Sequence, residues 1–198
     1  MMPMQNLTHR TNVILFLTLS LSFFCTSCDL FSWGKNNEKE KTELEKLPPP
    51  TQTGEFAFGC LVNGKAFVVT NSYRMTAIYQ REKLQIGANF EILEIDQDLN
   101  GVKTVVQDIN MILGGSLSEG QKYSFTDPSN YYNIQFRDFI KNSKCGFEFD
   151  DTFEGSIIFT KIDRKNFILS GEFEFSAVND ECDTVYITDG RFDMQYNP

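Results

Sequence analysis

The stretch Phe167-Ile168-Leu169-Ser170-Gly171-Glu172-Phe173-Glu174-Phe175-Ser176 decides the fold class. One parity carries Phe167, Leu169, Phe173 and Phe175, and the other carries Ser170, Glu172, Glu174 and Ser176. A side-chain period of two is that of a strand with one dry and one wet face. Upstream, Gly155-Ser156-Ile157-Ile158-Phe159-Thr160-Lys161-Ile162 leads into the polar cluster Asp163-Arg164-Lys165-Asn166, so the two runs are expected to pair as an antiparallel hairpin.

Working outward, Asn63-Gly64 and Asn100-Gly101 each separate apolar runs, and this dipeptide suits the positive φ of tight hairpins. Further strands are expected around 75–79, 84–88, 122–125, 132–136, 185–188 and 191–196. The segment 107–113 reads equally as a strand or a helical turn. No amphipathic helix of normal length competes. The expected fold is all-β, an antiparallel β-sandwich or half-open barrel over residues 56–198. Most of the 19 Phe and all 7 Tyr fall in it.

The other end of the chain differs sharply. A short polar leader ending at His9-Arg10 precedes an uncharged apolar run over 12–24, the order of a secretory signal and too short to span a bilayer comfortably. Cys25-Thr26-Ser27-Cys28 follows. Its C-x-x-C spacing lacks the strand-to-helix setting of a redox pair, and small residues immediately before Cys28 resemble a bacterial lipobox. Cys28 is then the acylated residue, Cys25 leaves with a signal peptide of residues 1–27, and several acyl chains, at about 0.8 kcal/mol per buried CH₂, hold the protein to a membrane. Residues 28–55, charged from Lys35 to Lys46 and then Pro48-Pro49-Pro50, read as a flexible tether.

Composition excludes several functions. The formal net charge is -9 and no basic run exceeds two residues, so nucleic acid is not an expected partner. The single histidine, His9, lies in the leader, so a mature chain has no Ser-His-Asp or Cys-His nucleophile and no His-containing zinc site. Three cysteines remain after Cys28. Cys145 and Cys182 flank the 163–166 turn almost symmetrically and should meet at the open end of the hairpin. That pairing is favoured over those with Cys60, which is expected as a buried free thiol.

Candidate sites are sparse. Asp96-Gln97-Asp98-Leu99-Asn100-Gly101 matches half of a calcium loop, making Asp96, Asp98 and Asn100 weak metal candidates, but Gln107 stands where the closing Glu belongs, and an acidic Asn-Gly hairpin fits better. Asp150, Asp151 and Glu154, and Glu172 with Glu174, supply carboxylate pairs of the type glycosidases use, without an evident activating partner. Of Tyr131 and Tyr132, neighbours in a strand, one ring should enter the core and the other stay free as a platform for a sugar or a protein. No cofactor is expected.

Two segments together resemble an uncharacterised family of Bacteroides-type lipoproteins. One is the Phe58-Gly59-Cys60-Leu61-Val62-Asn63-Gly64-Lys65 run behind Pro49-Pro50-Thr51-Gln52-Thr53-Gly54. The other is Ile187-Thr188-Asp189-Gly190-Arg191-Phe192-Asp193. The resemblance implies a lipid-anchored protein of a Gram-negative envelope, in the outer membrane and either periplasmic or surface-exposed. It carries no site residue, the family being a domain of unknown function; Gly190 reads as a bulge or turn and Arg191 as paired with Asp189 or Asp193. The functional expectation is a non-enzymatic binding or structural module whose partner is a glycan, a small apolar ligand or an envelope protein. The alternatives are a lipocalin-like carrier and a carboxylate-dependent glycan hydrolase.

Overall fold

The computed structural model describes residues 40–96, 101–129, 131–138 and 145–198, with the backbone alone for 91–96 and 101–105. Among the described residues eleven strands form: β1 (Ala57–Val62), β2 (Lys65–Val69), β3 (Met75–Gln80), β4 (Lys83–Asp96), β5 (Gly101–Gly114), β6 (Lys122–Ser124), β7 (Tyr132–Asp138), β8 (Cys145–Phe147), β9 (Thr152–Asp163), β10 (Ile168–Asn179) and β11 (Asp183–Gln195). They build two antiparallel sheets, A in the order β2-β1-β11-β10-β9-β6 and B in the order β3-β4-β5-β7-β8. The sheets pack face to face as a sandwich, and the described strands close no barrel.

The hairpin expected at the decisive stretch is β9–β10, joined through 164–167. Its neighbour β11 is one strand with a bulge, where the register slips between Phe173 and Phe175. Asp189 takes the positive φ there, at 54°, a conformation that Asp tolerates better than most residues. Gly190 serves a different need, because a Cβ at this position would lie 2.4 Å from the Phe173 carbonyl oxygen and 2.7 Å from its ring. Gly190→Ala is therefore expected to cost about 2–3 kcal/mol of unfolding free energy; an unchanged denaturation midpoint would show that β10 and β11 can part without penalty.

The undecided segment 107–113 is strand, with Ile109, Met111 and Leu113 buried in alternation. Asn63 and Gly64 have φ of 48° and 77°, the pair a two-residue hairpin needs. Asp96 pairs with Gly101, so Gly101 opens β5 and does not complete an Asn-Gly turn; Asn100 lies outside the described residues.

Large side chains fill the space between the sheets. Rings run across the inner face of sheet A from Phe67 through Phe58, Phe173, Phe192 and Phe159 to Tyr123, with neighbouring centroids 5.2 to 6.4 Å apart. Phe125, against Phe175 and Tyr132, carries the contact to sheet B. Each such fully buried side chain contributes about 1.5–3 kcal/mol relative to exposure.

The tether expectation for 28–55 changes at its C-terminal half. The compact unit begins at Lys41, not at residue 56. Residues 44–46 make a 3-10 turn, the Glu43 carboxylate accepts the Ala66 amide of β2, and Leu47 is buried. Residues 47–55 then lie as a strap along the outer face of sheet A. The strap is fastened by Asp193, which is 1% exposed. Its Oδ2 accepts the Thr51 hydroxyl and the Thr53 and Glu55 amides, and its Oδ1 accepts the Gly54 amide and the Ser170 hydroxyl.

At the far end of the chain, the Asn197 amide donates to the Ala77 carbonyl and the Tyr79 amide to the Asn197 carbonyl, both at 2.9 Å. This closes the outer edge of β3, which would otherwise offer unpaired backbone groups to another chain.

Candidate functional site

The outer face of sheet A beyond the strap is concave and polar. The cross-strand register places Tyr186 of β11, Ser176 of β10 and Glu154 of β9 side by side. A small residue between two larger ones leaves a trough. Phe153, which the β9 register shift leaves without a partner on β10, lines the same depression. Phe153 is 49% and Tyr186 51% exposed, so two rings stand at this cleft of about 460 Å³. Hydroxyls of Ser124, Thr126, Ser156, Ser176 and Thr188 line the remainder.

A second cleft of about 410 Å³ continues toward the strap and shares Lys122, Ser156 and Glu174 with the first. There Arg191, Glu172, Ile158 and Lys122 form one row across β11, β10, β9 and β6, and Pro50 of the strap closes the end. The Lys122 ammonium lies 3.5 Å from the Glu174 carboxylate, whose Oε1 also accepts the Ser156 hydroxyl. Glu154 accepts the Ser176 hydroxyl at 2.9 Å. All three contacts arise because these side chains share the wet parity of neighbouring strands.

Arg191 pairs with neither Asp189 nor Asp193 through their carboxylates, against the sequence expectation. Its guanidinium donates to the Pro48 carbonyl at 3.2 Å and the Asp189 carbonyl at 3.4 Å. The Asp193 carboxylate is taken up by the strap and by Ser170 of β10. Burial pushes the Asp193 carboxyl upward, but hydrogen bonds from Thr51, Ser170 and the Gly54 and Thr53 amides outweigh it and hold it below the usual 3.8.

The other sequence candidates fall as follows. Cys145 and Cys182 form a disulfide, Cα atoms 5.5 Å apart, joining β8 of sheet B to the β10–β11 turn of sheet A. Cys60 is a buried free thiol whose pKa burial raises strongly. Asp150 and Asp151 sit in a 3-10 turn away from Glu154's cleft lining, and Asp151 accepts the Glu148 amide, a capping contact. Tyr132 is 4% and Tyr131 58% exposed, the latter with the Lys83 ammonium 5.8 Å from its ring centre. Cys28, Asp98 and Asn100 lie outside the described residues, as does the Asp96 side chain. Among the described residues, no three His, Cys, Asp or Glu side chains converge as a metal site would require.

Sequence reading found the carboxylates of this face and missed its rings and cations. Tyr186 was legible in principle, since it alternates with the buried Val185 and Ile187 and so had to point outward. No family model matches the chain, and no curated protein or solved structure matches it either.

Proposed function

We propose that this chain is a lipid-anchored envelope protein whose sandwich is a non-enzymatic binding module, and that the outer face of sheet A holds the ligand. The observation that carries the reading is the trough between Tyr186 and Glu154, with two half-exposed rings, several hydroxyls and charged groups on adjacent strands. Rings with hydroxyl and carboxylate neighbours suit a polyhydroxylated ligand, which stacks an apolar face and hydrogen-bonds its rim. Placement on rigid strands keeps the cost of ordering low. An apolar ligand carried between the sheets fits less well, because Phe58, Phe125, Phe159 and Phe175 are themselves fully buried in the core there. Hydrolysis is also less favoured. Glu174 is committed to Lys122 and Ser156, and Glu154 to Ser176.

The anchor follows from Cys28 behind its apolar run. Tyr186→Ala is expected to weaken glycan binding by about tenfold in a glycan and lipid binding screen, with the denaturation midpoint nearly unmoved. Retained affinity would place the ligand elsewhere. Cys28→Ser should abolish incorporation of labelled palmitate, and undiminished label would remove the anchor from this reading.

A further inference from the structure

The two clefts of sheet A carry four carboxylates, Glu154, Glu172, Glu174 and Asp189, against two cations, Lys122 and Arg191. Both cations have local partners, although carbonyl acceptors leave the charge of Arg191 in place. Lys122 is paired with Glu174, and Arg191 is held by the carbonyls of Pro48 and Asp189. Glu154 and Glu172 make no ion pair among the described residues. They lie one in each cleft. Glu172 is exposed, and the residue across from it on β11, Arg191, is turned to the strap.

We propose that this face takes a hydroxyl-rich ligand bearing protonated amines, with an amino sugar as the simplest such chemistry. The inference rests on the reading of the face as a binding surface and adds the charge of what it binds. An ammonium offers three donors and no acceptor, which matches a face where carboxylates outnumber cations. Tyr186 and Phe153 act in the same sense, because the negative face of a ring attracts a cation. A uronate, sulfate or phosphate would instead meet four carboxylates against two cations, an excess of like charge. The strap sharpens the selection. It draws Arg191 toward the Pro48 carbonyl, so Glu172 makes no ion pair with its cross-strand neighbour.

Isothermal titration of the full chain in detergent, with a glucosamine trisaccharide and its N-acetylated counterpart as probes, tests this. At about pH 6 the free-amine sugar is expected to bind about fivefold more tightly. The advantage should vanish by about pH 9, where the amine is neutral and the carboxylates still ionised. Glu154→Gln with Glu172→Gln should erase the preference, bringing the two sugars to equal affinity. Asp180→Asn with Glu181→Gln, two carboxylates in the β10–β11 turn, should leave the preference intact. Equal affinity for the two sugars would overturn the amine assignment and leave the binding face standing. Equal loss in both double variants would reduce the preference to general attraction by an acidic protein and overturn it too. Binding of neither sugar would overturn this inference together with the sugar-binding reading beneath it.

Discussion

Replacing Asp193 by alanine is expected to release residues 47–55 from sheet A and to lower the unfolding free energy by about 3–5 kcal/mol. The carboxylate accepts from Thr51, Thr53, Gly54, Glu55 and Ser170, and it is almost wholly shielded from water. Removing it strands buried donors at Gly54 and Ser170 without an acceptor, a larger penalty than the loss of hydrogen bonds alone. The folded carboxyl titrates below its usual value near 3.8. Its stabilising contribution is thus fully present above the unfolded value and disappears as pH falls through the folded one. Denaturation followed from neutral pH into acid should show a decline below about pH 4 that is steeper in the native chain than in the alanine variant. Amide exchange at Thr53, Gly54 and Glu55 should accelerate in the variant. A variant with native stability and slow exchange at these amides would mean that Leu47 and the prolines hold the strap unaided.

Reduction of the Cys145–Cys182 bond, or its replacement by two serines, is expected to cost about 3–4 kcal/mol, as the sequence separation of 37 residues implies for a closed loop. The structural consequence is local. β8 is three residues long and stands at the edge of sheet B, joined to β7 alone within that sheet. The disulfide ties it to the β10–β11 turn of the other sheet. Without that staple, amides of Cys145 to Phe147 should exchange fastest among the strands. Denaturant titration with and without reductant measures the difference. Coincident curves would show that the loop gains nothing from closure.

How legible these features were depends on the range of the interaction that makes them. The alternation from Leu169 to Phe175 gave β10, its wet face and the β9 hairpin, because a period of two is a local property; Phe167, read as dry, lies in the turn before the strand and is 42% exposed. Tyr131 and Tyr132 separated into exposed and buried for the same reason. Ser170 looked wet and is buried, since its cover is the strap, and the strap is held by Asp193, about 140 positions away in sequence. The run 41–55, charged and then proline-rich, has the composition of a linker, and no local signal marks Gly54 and Thr53 as partners of a distant carboxylate. Segment 107–113 stayed undecided because Ile112 shares the parity of Asp108 and Asn110, so Met111-Ile112-Leu113 reads as an unbroken apolar run. Asp108 is pinned there by the Arg137 guanidinium at 2.9 Å from the next strand, β7. The groove was half visible. Glu154, Glu172 and Glu174 were singled out as carboxylates, but their alignment with Lys122 and Tyr186 depends on the register of four strands, which no sequence spacing supplies.

The claim on which the functional account depends is that ligand meets the outer face of sheet A. Amide chemical shifts of the full chain, followed while the glucosamine trisaccharide is added, test it most directly. The account predicts saturable shifts clustered at Glu154, Ser176, Tyr186 and Glu172, with sheet B unmoved. Shifts centred on sheet B or around Tyr131, or none at saturating sugar, would contradict it.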